Sequence, residues 1–211
     1  MFPILQDALA IIKRHKGAYI TLNVIFYGTV LLSMAATLWK PELQALYKPS
    51  TEQAFAQPGL FKTVAHAYAN RDLFAAIVMT FLVNLVVASM AMTTLPSFVI
   101  PFIGIFAQLY RAFLWGILFA PIGPLRYTLI PHSLTLLIEG QAYVLCAFAA
   151  YVHGRQFLWP RHYGMTSRRQ GYVVGAASTL KLYGLIVAML LAGAVYEVIE
   201  SVYLMPLLVR H

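Results

Sequence analysis

Four residues able to bind or exchange charge stand in stretches otherwise poor in it: Arg111, Glu139, Glu197 and Glu200. An ionisable side chain at the centre of a membrane-spanning helix costs roughly 2.5–3.5 kcal/mol on insertion scales, so such groups are rarely accidental. Arg111 lies fourteen positions before Leu125 and Glu139 fourteen after it, with Leu125 in a short connection. Two antiparallel helices joined there would hold both residues at one depth, about 15 Å from the helix ends at about 1.5 Å per residue. That geometry predicts a buried Arg111–Glu139 ion pair, which keeps both groups ionised and satisfies the guanidinium donors. The plainer reading is a structural pair that fixes helix register. The sharper one is a substrate or ion site.

Other polar residues fall on the same helix faces. His132 is seven residues before Glu139, and the face continues through Ala142, Tyr143, Cys146, Ala149, Ala150 and His153. Gly193, Glu197 and Glu200 share a face on a later helix, as do Gly104, Gln108, Arg111 and Trp115 on an earlier one, and Asn84 adds one more polar point. Small and polar stripes identify the sides that meet other membrane helices. Each has a bland reading as well. His132 follows Pro131 and suits a helix-end hydrogen bond, Glu197 and Glu200 approach the outer boundary where solvation is partial, and Cys146 suits packing.

Enzymatic signatures are missing: no His-Glu-x-x-His helix, phosphate-binding Gly-Lys-Ser/Thr loop, Gly-x-Ser-x-Gly elbow or paired-cysteine metal spacing. No catalytic residue, metal or cofactor is expected on this basis. One cysteine excludes an intrachain disulfide.

The elements that must position these residues follow from composition. The 211-residue chain is 61% hydrophobic and 10% charged, where a soluble domain carries roughly 25% charged residues. Too little polar surface remains to coat a globule, and a bilayer removes that need. The net charge of +8 does not point to nucleic acid, because the basic residues fall at the ends of apolar segments. A span needs about 20 apolar residues. The reading is an all-α polytopic bundle of about five spans, at 17–39, 73–92, 98–120, 129–152 and 182–207. The second and third are divided at Thr93–Ser97, where Pro96 disfavours helix in its predecessor.

Residues 1–16 place Phe2, Leu5, Leu9 and Ile12 at helical spacing before the cluster Lys13, Arg14, His15, Lys16, as in an interfacial helix with no cleavable signal. Residues 59–70 carry a second stripe, Leu60, Phe61, Val64 and Tyr68, which fits either a helix on the membrane or one packed on the bundle. The positive-inside rule puts residues 13–16 and the loop bearing Arg155, Arg161, Arg168 and Arg169 in the cytoplasm. Those four arginines are also placed to meet anionic lipid headgroups. A multi-pass protein of a bacterial cytoplasmic membrane is expected, N-terminus inside, with the bilayer, other membrane proteins or a second copy as partners.

Three patches resemble the family of stage II sporulation protein M and its relatives in bacteria that do not sporulate. They are Leu129-Ile130-Pro131-His132-Ser133-Leu134 leading to Glu139, Tyr110-Arg111-Ala112-Phe113-Leu114-Trp115-Gly116, and Tyr196-Glu197-Val198-Ile199-Glu200-Ser201-Val202-Tyr203 running to Met205-Pro206. Ser133 stands where that family usually has glycine, and Arg111 near an expected asparagine. The resemblance implies a non-enzymatic scaffold or subunit of an envelope complex; it does not transfer a sporulation role. Two other functions remain open from the residues. One is a small channel, carrier or permease half with a polar interior; the other is an intramembrane enzyme using Glu139 or Glu200 with His132.

Overall fold

The structure is a computed structural model and describes residues 3–56 and 59–209. Eight helices account for most of them: α1 (Pro3–Arg14), α2 (Lys16–Trp39), α3 (Glu42–Ala56), α4 (Leu60–Ala69), α5 (Leu73–Val99), α6 (Ile103–Leu118), α7 (Leu129–Leu158) and α8 (Arg168–Leu208). No strand occurs among the described residues. The all-α bundle expected from composition is the fold. Four helices, α2, α5, α7 and α8, are long and apolar enough to cross a membrane, and α6 is a shorter apolar helix.

The hairpin of α7 and α8 is the centre. Two-thirds of the apolar window of α7 (67%) is buried, against 22–33% for the other three long helices, so α7 is the helix the others surround. Tyr143 and Phe148 of α7 are fully buried with Leu182, Ile186 and Leu190 of α8, and Phe26 of α2 is 1% exposed. Small residues set the close approaches, as membrane packing requires. A β-carbon on Gly116 of α6 would fall 2.2 Å from the Val30 carbonyl oxygen of α2.

Two boundaries differ from the sequence reading. The break expected at Thr93–Ser97 lies instead after Val99, where Ile100 is extended and Phe102 adopts a left-handed conformation at φ 69°. Helix α5 runs through Pro96 because its middle, Val83–Thr94, is π-helical. Ser89 and Thr93 donate to the carbonyls five residues back, Asn84 and Ala88, at 2.8 Å each. That wider turn accommodates the proline ring that would clash in a regular α-helix. Helix α8 starts at Arg168 rather than near 182, with Ser167 Oγ capping the Gln170 amide at 3.2 Å. The polar residues of its first turns carry no hydropathy signal, although they continue the same helix.

The two amphipathic segments both pack on the bundle. Helix α1 lies along α8: Ala8 is fully buried, Asp7 pairs with Lys181 at 2.9 Å, and Ile4 lies against Gly184. Helix α4 buries Val64 and Ala67, and its Tyr68 hydroxyl meets Thr80 Oγ1 of α5 at 3.1 Å. Packing on the bundle, one of the two readings left open for 59–70, is what the structure adopts.

Candidate functional site

The polar residues singled out from sequence converge at the end of the bundle remote from the arginine-rich loop. A cavity of about 170 Å³ is bounded there by Asn84, Arg111, His132, Glu139, Tyr143 and Glu197, with apolar walls from Trp115, Phe119 and Leu136. Phe61 and Val64 of α4 close one side of it. Five consecutive helices, α4 to α8, therefore contribute to one site.

Each acidic residue is fixed by specific neighbours. Asn84 Nδ2 donates to Glu139 Oε1 at 2.8 Å. The start of the π-helical stretch brings Asn84 to this position, and such wide turns recur at functional sites. The carboxyls of Glu139 and Glu197 line the same cavity. Two carboxylates at one buried site repel each other when both are ionised, and a shared proton removes that repulsion. Gly193, on the turn of α8 before Glu197, makes room: a β-carbon there would sit 2.7 Å from Glu139 Cγ.

Glu200 lies beside the cavity, fully buried, and both its oxygens are engaged. Oε1 meets His132 Nδ1, and Thr135 Oγ1 donates to Oε2 at 2.6 Å. With Glu200 ionised, Nδ1 of His132 is the donor. The adjacent Tyr196 hydroxyl donates to the Pro131 carbonyl at 3.1 Å, tying the end of α8 to the start of α7. A second π-helical stretch, Glu200–Leu204, begins at this glutamate.

Arg111 does not form the direct ion pair expected with Glu139. Its guanidinium lies over the Tyr143 ring, 4.6 Å from the centroid, and no ion pair of Arg111 occurs among the described residues. Both residues nevertheless line one cavity. Asn84 took the hydrogen bond of Glu139, while the face of Tyr143 took the cation. The arginine Nε is buried with no hydrogen-bond partner in the protein, and the same holds for the Tyr143 hydroxyl.

Two further expectations are revised. The partial solvation expected at Glu200 is not found, because α7 and α8 enclose it. Gln108 is outside the cavity; its Nε2 donates to Thr93 Oγ1 at 2.5 Å in the α5–α6 contact. Thr135 and Tyr143 were not singled out as site residues, yet their positions three after His132 and four after Glu139 place them on the same face. Tyr68 was seen only as part of a stripe. Burial raises its phenol above the ordinary value, and the Glu197 charge acts in the same direction.

At the opposite end, Arg161, Arg168 and Arg169 are exposed, while Arg155 is half-buried with its guanidinium over Trp159 at 5.0 Å. Among the described residues no three His, Cys, Asp or Glu side chains converge closely enough to hold a metal ion. Comparison of the chain with protein-family models, curated proteins and solved structures finds no match.

Proposed function

We propose that this protein is a membrane-embedded transport component of a bacterial cytoplasmic membrane, whose buried cavity takes up and releases a proton. The carrying observation is the pair of carboxyls, Glu139 and Glu197, at one cavity that also presents Arg111 and His132. A carboxyl pair holds one proton readily and resists losing it while the two groups share one site. Movement of Arg111 toward the pair would favour its ionised form and release that proton; movement away would favour recapture. The buried face of α7 continues toward the basic end through Tyr143, Cys146 and His153, giving polar groups along the length of the bundle. By the positive-inside rule the cavity opens toward the outer side, with the N-terminus in the cytoplasm.

The test is purified protein in lipid vesicles loaded with a pH-sensitive dye. An imposed pH gradient should collapse faster than in protein-free vesicles, and Glu139→Gln should abolish the difference. Gradients that persist equally in both kinds of vesicle would remove the reading.

A second reading has its own support. The three patches that resemble the sporulation protein M family all meet at this site: Arg111 from one, His132 and Glu139 from another, Glu197 and Glu200 from the third. On that basis the cluster would hold together a non-enzymatic scaffold or subunit of an envelope complex. Purification from native membranes in mild detergent separates the two. A stoichiometric membrane partner that survives Glu139→Gln supports the subunit reading.

A further inference from the structure

The basic end of the bundle holds a second cluster, independent of the cavity. Arg14 at the end of α1 lies over the Tyr163 ring, 5.5 Å from its centroid. Arg155 near the end of α7 stacks on Trp159, 5.0 Å from its centroid, and lies near enough to the same tyrosine to interact with it. His15 sits between them, its ring 5.7 Å from Tyr163 and close enough to both arginines to feel their charge. The buried Nε of Arg155 and Nε2 of His15 have no partner in the protein. Neither arginine forms an ion pair among the described residues.

Three basic groups, Arg14 at the end of α1, His15 between α1 and α2 and Arg155 near the end of α7, thus surround Tyr163, which lies between α7 and α8. The cluster is rich in donors and poor in acceptors. Two guanidiniums held by stacking are pre-positioned, and their planar forks suit phosphate oxygens. The aromatic rings Trp159 and Tyr163 belong to the type that settles at the headgroup level of a bilayer. The adjoining start of α2 is apolar from Gly17 onward, so the cluster stands where acyl chains end.

We propose that Arg14, His15 and Arg155 form a site for the phosphate of an anionic phospholipid, which bridges α1 to the end of α7. The lipid would supply the acceptors that the cluster lacks, and fasten the first helix to the bundle at the membrane surface. Arg168 and Arg169 are exposed on the first turn of α8 and stack on neither Tyr163 nor Trp159, so they measure attraction to headgroups outside the cluster.

The test uses the full chain in detergent, exposed to equimolar phosphatidylglycerol and phosphatidylcholine, with retained lipid read by native mass spectrometry. The site predicts preferential retention of phosphatidylglycerol by the unaltered protein. Arg14→Gln and Arg155→Gln should each weaken that retention about fivefold, the worth of one basic residue near an anionic surface. The double variant Arg168→Gln/Arg169→Gln, which removes only general attraction to anionic headgroups, should lose less than either single variant. Equal retention of the two lipids by the unaltered protein would overturn the proposal without recourse to any variant. So would losses in the Arg168/Arg169 variant as large as those at Arg14. Inorganic phosphate that displaces the lipid at millimolar concentration would identify a soluble anion site and overturn the lipid assignment.

Discussion

His132 and Glu200 are 68 residues apart and meet inside the bundle through Nδ1 and Oε1, while Thr135 holds the second carboxylate oxygen at 2.6 Å. This contact fastens the end of α8 to the start of α7, beside the cavity. Glu200→Ala leaves both donors buried without a partner, which costs about 1–3 kcal/mol. Thermal unfolding in detergent should show the loss, and Glu200→Gln should lose less because its amide oxygen still accepts from Thr135. Equal stability of Glu200→Ala and the unaltered protein would show that the contact contributes nothing.

Two glycines should separate packing from function. At Gly116 an added β-carbon meets the Val30 backbone at 2.2 Å, which cannot yield without moving α2 from α6. Gly116→Ala is expected to destabilise by about 1–3 kcal/mol. At Gly193 the obstructing atom is Glu139 Cγ, part of a flexible side chain. Gly193→Ala should therefore turn Glu139 away from Asn84, slowing proton flux with a smaller loss of stability. Flux and thermal midpoint measured on both variants check the contrast.

The pH dependence of stability should carry a contribution from His15. Burial holds its imidazole below the ordinary value, and the neighbouring charges of Arg14 and Arg155 act the same way. An unfolded chain takes up this proton near pH 6.5, whereas the folded chain does so only at lower pH. Between those two values the unfolded state binds more protons, so stability falls as pH drops below about 6.5. His15→Gln should flatten that decline in thermal midpoints measured from pH 7.5 to 5. Bound phosphatidylglycerol should flatten it too, since an anion beside the ring favours the protonated form.

Much of this was legible in the sequence because the bilayer constrains a chain so strongly. Long apolar runs gave α2, α7 and the apolar part of α8, and Glu139 and Glu197 inside them marked the cavity. The sequence misled where a side chain rewrites local geometry. Pro96 is an ordinary helix breaker until Ser89 and Thr93 open the turn ahead of it. Equal depth also could not say which neighbour Arg111 would choose. Depth depends on spacing along a helix, but the contact depends on rotation about its axis, which is set by α8 far along the chain. The polar start of α8 was hidden for a simpler reason. Hydropathy reports which residues suit lipid, and a helix can continue well past them.

The site at the centre of this account is tested most directly by proton flux in dye-loaded vesicles containing either the unaltered protein or Glu139→Gln. The unaltered protein should collapse an imposed pH gradient rapidly. Glu139→Gln, though folded, should fall to the rate of protein-free vesicles. Unaltered protein that leaves the gradient as protein-free vesicles do, or Glu139→Gln that dissipates it equally fast, would contradict the proposal that the carboxyl pair carries the proton.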